Sequence, residues 1–276
     1  MKNLLLPVAA TAGLLVLAVQ PSQAANLVAN GSFESNGGVG QITSGVSSLS
    51  NWSVGATTDG STYPFVFVAD SAADSTGFPS KNSPPNILLW GPGTPSGTSA
   101  YSYSVPNPHQ VGPVANGFGA SPDGGDFLGA DAAYANAPVS QTINGLNAGQ
   151  DYTLSFYYAG AQFTDATGAN TEGWHVTFGT DSVDTPTLNN ASQGFTGWQT
   201  FSTTFTATSA SQVLTFLATG GPSGLPPFAL LDGVTLTGSV PPPPPPPDAP
   251  EPASMGLAVS GLLGVFALGR RMKNRS

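Results

Sequence analysis

The chain has 276 residues, no cysteine, 35 glycines, 26 prolines and a formal net charge of −9. Between Ala25 and Pro250 a single cation, Lys81, stands against fourteen acidic residues, so one minus fourteen leaves −13 on that stretch. Such a surface repels phosphate backbones and anionic lipid headgroups, which excludes nucleic acid as a partner, and the lack of thiols excludes disulfides and cysteine metal centres.

At the front, Lys2 precedes an apolar core from Leu4 to Val19, and Ser22-Gln23-Ala24 puts small residues where a signal peptidase cuts. Residues 1–24 read as a helical secretory signal peptide, removed after Ala24. Residues 25–239 suffice for one all-β domain. From Ser71 to Gly119 the chain is rich in Pro, Gly, Ser and Asn with isolated aromatics, which predicts long loops crossing one end or face of that domain. Further on, Tyr152, Leu154, Phe156 and Tyr158 alternate with Thr153, Ser155 and Tyr157, the period of a half-buried strand. Trp174, Val176 and Phe178 repeat the pattern, and the stretches 201–206, 212–218 and 230–236 continue it. Turn residues such as Asn144-Gly145, Thr167-Gly168 and Gly220-Gly221 separate the runs. The expected fold is an antiparallel β-sandwich, a jelly roll.

Val240 leads into seven consecutive prolines, Pro241 to Pro247. They make a stiff polyproline II rod of roughly 22 Å, at about 3.1 Å per residue. Residues 240–249 therefore read as a stalk. Behind it come Pro250-Glu251-Pro252, an uncharged run from Ala253 to Gly269, and the cations Arg270, Arg271, Lys273 and Arg275. Seventeen uncharged residues sit at the short limit of a single membrane-anchor helix, and the cations would stay cytoplasmic, leaving everything upstream outside.

The stretch 250–276, with Pro250, Glu251, Pro252, Arg270 and Arg271 in that order, resembles the PEP-CTERM sorting tail of Gram-negative bacteria that make exopolysaccharide. The resemblance implies transient anchorage in the inner membrane, processing by an exosortase-type enzyme, and a destination at the cell surface or in the extracellular matrix. A second resemblance covers the exported part. Asn26-Leu27-Val28-Ala29-Asn30-Gly31-Ser32-Phe33-Glu34, Trp52, Asp123-Gly124-Gly125-Asp126-Phe127-Leu128-Gly129, Ser140 through Phe156, Trp198-Gln199-Thr200-Phe201 with Phe205, and Leu231-Asp232-Gly233-Val234-Thr235-Leu236 are similar to the landmarks of galactose-binding-like jelly rolls, the fold of many carbohydrate-binding modules. Gly233 departs from the pattern, since an acidic residue or Asn is common there. This second resemblance implies binding of extracellular polysaccharide. It also implies a structural Ca2+ beside the first and last strands, where Glu34 and Asp232 would supply carboxylates and backbone carbonyls the rest of the shell.

Sugar binding needs aromatic platforms. Trp52, Trp174 and Trp198 lie in strand patterns and read as core. Trp90, Tyr101 and Tyr103 from the Pro-rich loops, and Tyr157 from the outward side of its strand, are the platform candidates. Catalysis has little to stand on. His109 and His175 match no metal-ligand spacing, no G-x-S-x-G elbow is present, and Asp123, Asp126 and Asp131 sit beside glycines or in turns. The expectation is a non-catalytic polysaccharide-binding protein. The alternative is a structural matrix or adhesion protein without a glycan ligand.

Overall fold

A computed structural model describes residues 25–42, 47–80, 83–98 and 110–238. The signal segment, Tyr101, Tyr103, the proline run and the tail with Pro250, Glu251, Pro252, Arg270 and Arg271 lie outside the described residues. Among those described there is no helix, and none therefore long and apolar enough to cross a membrane.

Sixteen strands form in chain order: β1 (Gly40–Gln41), β2 (Ser53–Val54), β3 (Val66–Ala69), β4 (Phe78–Ser80), β5 (Ser83–Ile87), β6 (Gly97–Thr98), β7 (Gln110–Val111), β8 (Phe127–Asp131), β9 (Val139–Asn144), β10 (Asp151–Gln162), β11 (Asn170–Phe178), β12 (Asp181–Asp184), β13 (Leu188–Asn190), β14 (Gln199–Thr206), β15 (Ser211–Gly221) and β16 (Pro227–Gly238). One antiparallel sheet runs β1-β3-β8-β16-β10-β14. The second runs β12-β11-β15-β9-β2, with β13 also paired to β11. From β8 to β11 and again from β14 to β16 the chain changes sheet at each step, the winding of a jelly roll. The opening segment differs from expectation: it joins β16 through the Asn26–Thr237 bridge and the bonds Leu27 N to Leu236 O and Val234 N to Gly31 O, rather than as a regular strand.

Two apolar clusters follow from strand alternation. On β16, Ala229, Leu231, Val234 and Leu236 face the inter-sheet core, where they meet Trp174, Val176, Phe178, Leu214 and Phe216 of the second sheet. The alternate residues Phe228 and Leu230 face outward, yet they are fully buried. Their cover is the segment after β3. Phe78, Ile87, Leu89 and Phe118 lie with Phe67, Phe127, Phe163, Phe228 and Leu230 in a second cluster on the outer face of the first sheet. Phe67 and Phe78 stack with ring centroids 4.1 Å apart and planes 9° from parallel. The segment is held to the end of β10 by Trp90 N to Gln162 O, and to the residues just after it by Thr164 N to Leu88 O. The Pro-rich stretch does cross a face of the sandwich, and it plugs that face with side chains.

Candidate ligand cleft and carboxylate cluster

That plug overturns one site expectation. Trp90 is only 1% exposed, and its Nε1 donates to Ala166 O at 2.9 Å. A ring with both faces packed and its donor spent offers nothing to a sugar, so Trp90 is a core residue. The apolar run Ile87-Leu88-Leu89 that leads to it belongs to the plug, and burying such side chains with the Trp90 ring is worth several kcal/mol. Tyr157 is half-buried on the first sheet, beside Gly233. Trp52 and Trp174 are core, with Nε1 donating to Asn30 O and Leu230 O at 3.0 Å each. Trp198 packs edge-on against Phe127 and Phe195. His175, on the outward side of β11, makes an exposed 2.6 Å pairing through Nδ1 with Asp184 Oδ1.

Among the described residues, the exposed aromatics lie elsewhere. Tyr134 is 55% exposed and Tyr63 39%. Tyr134 follows β8 in a turn built by Asp131, whose Oδ1 accepts the amides of Ala133 and Tyr134 at 2.9 and 3.0 Å. Asp59 Oδ2 accepts the Ala135 amide at 3.0 Å, and Phe65 N donates to Ala135 O at 2.9 Å. These bonds hold Ala135 at φ 47°, a left-handed backbone that an alanine adopts only when its surroundings impose it. Tyr134 is thus presented by a fixed turn.

Behind it lies a cavity of about 150 Å³, lined by Tyr134, Phe65, Phe163 and Phe228, with Asp131, Ser223 and Gly224 at its polar side. Burial pushes the Asp131 carboxyl up to about 7; the Ala133 and Tyr134 amides pull it down, and the nearby Asp59 charge adds to the rise. Near neutrality this group both donates and accepts, as a sugar hydroxyl requires. The one hint in the sequence was a lone tyrosine among small residues, Asp131-Ala132-Ala133-Tyr134-Ala135, just after an apolar strand.

A second group of side chains gathers where β16 meets the opening segment. Asp232 is fully buried, and neither carboxylate oxygen has a hydrogen-bond partner of good geometry. Burial raises its carboxyl to about 7, Ser121 and the Gly233 amide offset part of this, and the charges of Asp123 and Glu34 add to it. Glu34 Oε1 accepts the Asp126 amide at 2.7 Å, and a Cβ on Gly125 would collide with that oxygen. Asp126 Oδ2 in turn accepts from Asn36 Nδ2 at 2.7 Å. Among the described residues no three acidic or histidine side chains form a ready metal cluster. The donor chemistry nevertheless fits a hard cation: Asp232 has two orphaned oxygens, and two further carboxylates bear on it.

No protein-family model and no curated protein matches this chain. Solved structures similar to it include TmCBM61 in complex with β-1,4-galactotriose, at 13% identity over 78% of this chain and 100% of that one, with a TM-score of 0.38. A CBM4 structure shares 14% identity over 76% of this chain and 99% of the other, with a TM-score of 0.31. The enzymatically active domain of tailspike protein 4 from bacteriophage CBA120 shares 15% identity over 78% of this chain but only 21% of its own, with a TM-score of 0.36. At these values the function has to be argued from the side chains.

Proposed function

We propose that this chain is an exported, non-catalytic polysaccharide-binding protein that docks a glycan against Tyr134. The observation that carries this reading is the exposed tyrosine, fixed by Asp131 and Asp59, at the mouth of an apolar cavity with a carboxyl and a hydroxyl on its polar side. An aromatic plane with a few convergent polar groups is what a sugar's C–H face and hydroxyl edge demand. A cavity of about 150 Å³ takes one ring edge or substituent, and the rest of a polymer runs outside. The formal −13 of the exported stretch favours neutral over anionic polysaccharide. The leader and tail fit delivery to the cell surface or extracellular matrix through the inner membrane, with an exosortase-type enzyme acting at Pro250-Glu251-Pro252. Ca2+ held by Asp232 and Glu34 would neutralise the buried acid and tie the opening segment to β16.

Affinity electrophoresis of the full chain in gels containing neutral or anionic polysaccharides tests the glycan reading. Retardation by a neutral polymer is expected, with about a tenfold weaker affinity for Tyr134→Ala, some 1.4 kcal/mol, while Trp90→Ala acts on stability alone. Retention of full affinity by Tyr134→Ala would move the site elsewhere. No retardation in any gel would leave a matrix role without a glycan ligand.

A further inference from the structure

At the other edge of the second sheet, Asn170 and Asn190 are direct partners across β11 and β13. Directly opposed residues in an antiparallel ladder put their side chains on one face, about 5 Å apart at Cβ. Glu172, two residues along β11, shares that face. Asn190 Nδ2 reaches Glu172 Oε1 at 3.4 Å, so those two side chains meet, with Asn170 opposite Asn190 in the ladder.

All three are buried, at 3%, 0% and 3% exposure for Asn170, Glu172 and Asn190. Each keeps one oxygen with no donor: Asn170 Oδ1, Glu172 Oε2 and Asn190 Oδ1. The Asn170 amide is oriented from the far side, because its Nδ2 donates to Pro226 O at 3.4 Å and to Leu225 O at 3.5 Å, and the Asn190 amide by its bond to Glu172. Glu172 Oε2 lies against Gly160 of β10, where any Cβ would collide with it. The carboxylate therefore spans the gap between sheets only because that residue is glycine. Leaving three acceptors dry is costly.

We propose that Asn170, Glu172 and Asn190 form a cation site at the end of the sandwich, taking a hard oxygen-seeking divalent ion of the Ca2+ class. Two amide oxygens and one carboxylate are ligands such an ion accepts. A solvent-open groove of about 530 Å³, lined by Asn170, Thr171, Asn189, Asn190 and Pro222, reaches the two asparagines and leaves room for water ligands. With one formal charge the site belongs in the weak class typical of extracellular modules, roughly 10⁻⁴ to 10⁻³ M. The competing account is a neutral Glu172: burial pushes its carboxyl to about 8, and Asn190 lowers it only in part.

Equilibrium dialysis of the full chain against radioactive Ca2+, at constant ionic strength, separates the two. One bound equivalent should disappear in Glu172→Gln and in Asn170→Ala while persisting in Asp232→Asn, so that failure here is distinct from failure of the Glu34–Asp232 site. Asn190→Asp adds a charge without changing shape and should tighten this site by about threefold or more. It keeps the proposal testable should Asn170→Ala not fold. Unchanged stoichiometry in Glu172→Gln, or no gain from Asn190→Asp, overturns the cation site and leaves the neutral acid.

Discussion

Asp131 does two things with one carboxylate, and pH separates them. Its Oδ1 holds the turn that presents Tyr134, and its burial makes the charged form unfavourable. The folded carboxyl titrates near 7 instead of its ordinary 3.8. A raised acid binds more protons folded than unfolded between those values. Its stabilising contribution is therefore complete below 3.8 and is lost as pH rises through about 7, at roughly 1.4 kcal/mol for each unit of separation. Glu172 and Asp232 titrate in the same direction, so the contribution is read as a difference between proteins. Asp131→Asn keeps an acceptor for both amides and removes the titration. Thermal melts from pH 4 to 8 should show the wild type losing more stability than Asp131→Asn across that range. Parallel profiles would mean that Asp131 is solvated in the native state.

Gly233 shows how an element aims a side chain. Opposite β10, β16 keeps register up to the pair Ser155–Thr235 and resumes at Tyr157–Asp232, so Gly233 and Val234 together face Phe156. This β-bulge needs a left-handed residue, and Gly233 has φ 59°. It turns Asp232 outward toward Asp123 and Glu34 while Val234 stays in the core. A Cβ there would sit 2.8 Å from Tyr157 Cδ2 and 3.2 Å from Asp123 Cβ. Gly233→Ala should therefore cost at least the 1–2 kcal/mol or so of a left-handed alanine, read as a lower urea midpoint at unchanged slope. No shift would mean that the bulge tolerates a side chain. The same contrast explains what was legible in the sequence. β10, β11, β14 and β15 bury one face, and their alternation gave them away. β3 and β8 are buried on every residue, because the plug covers the face that would otherwise be wet, so no alternation marks them. Trp90 looked loop-borne because Pro and Gly surround it. Nothing local encodes that Ala166 O and Gln162 O, more than seventy residues on, take its two N–H groups. Tyr134 is hidden from the sequence for a related reason, since the turn that presents it is fixed by bonds linking Ala135 to Asp59 and Phe65, far away in the chain.

Across the whole molecule, acidity and buried carboxyls make one problem. The stretch from Ala25 to Pro250 carries a formal −13, and its self-repulsion opposes the compact state. Simple salt relieves this by screening, with a Debye length of about 8 Å at 0.15 M, and screening cannot reach the fully buried Asp232. A bound divalent ion acts on that group directly, and anything that binds only the folded state stabilises it by mass action. The two effects separate when ionic strength is matched. Sodium chloride alone should raise the melting temperature modestly and without saturation. Replacing part of it by Ca2+ at the same ionic strength should give a further, saturable rise that chelator reverses. In Asp232→Asn the neutral amide removes the like-charge conflict with Glu34 and Asp123, so the metal-free protein should melt higher than the metal-free wild type and lose the share of the Ca2+ increment that arises at β16. An equal response to Ca2+ and to matched sodium chloride would show that the cluster at β16 holds no cation and that the buried Asp232 is not stabilised by one.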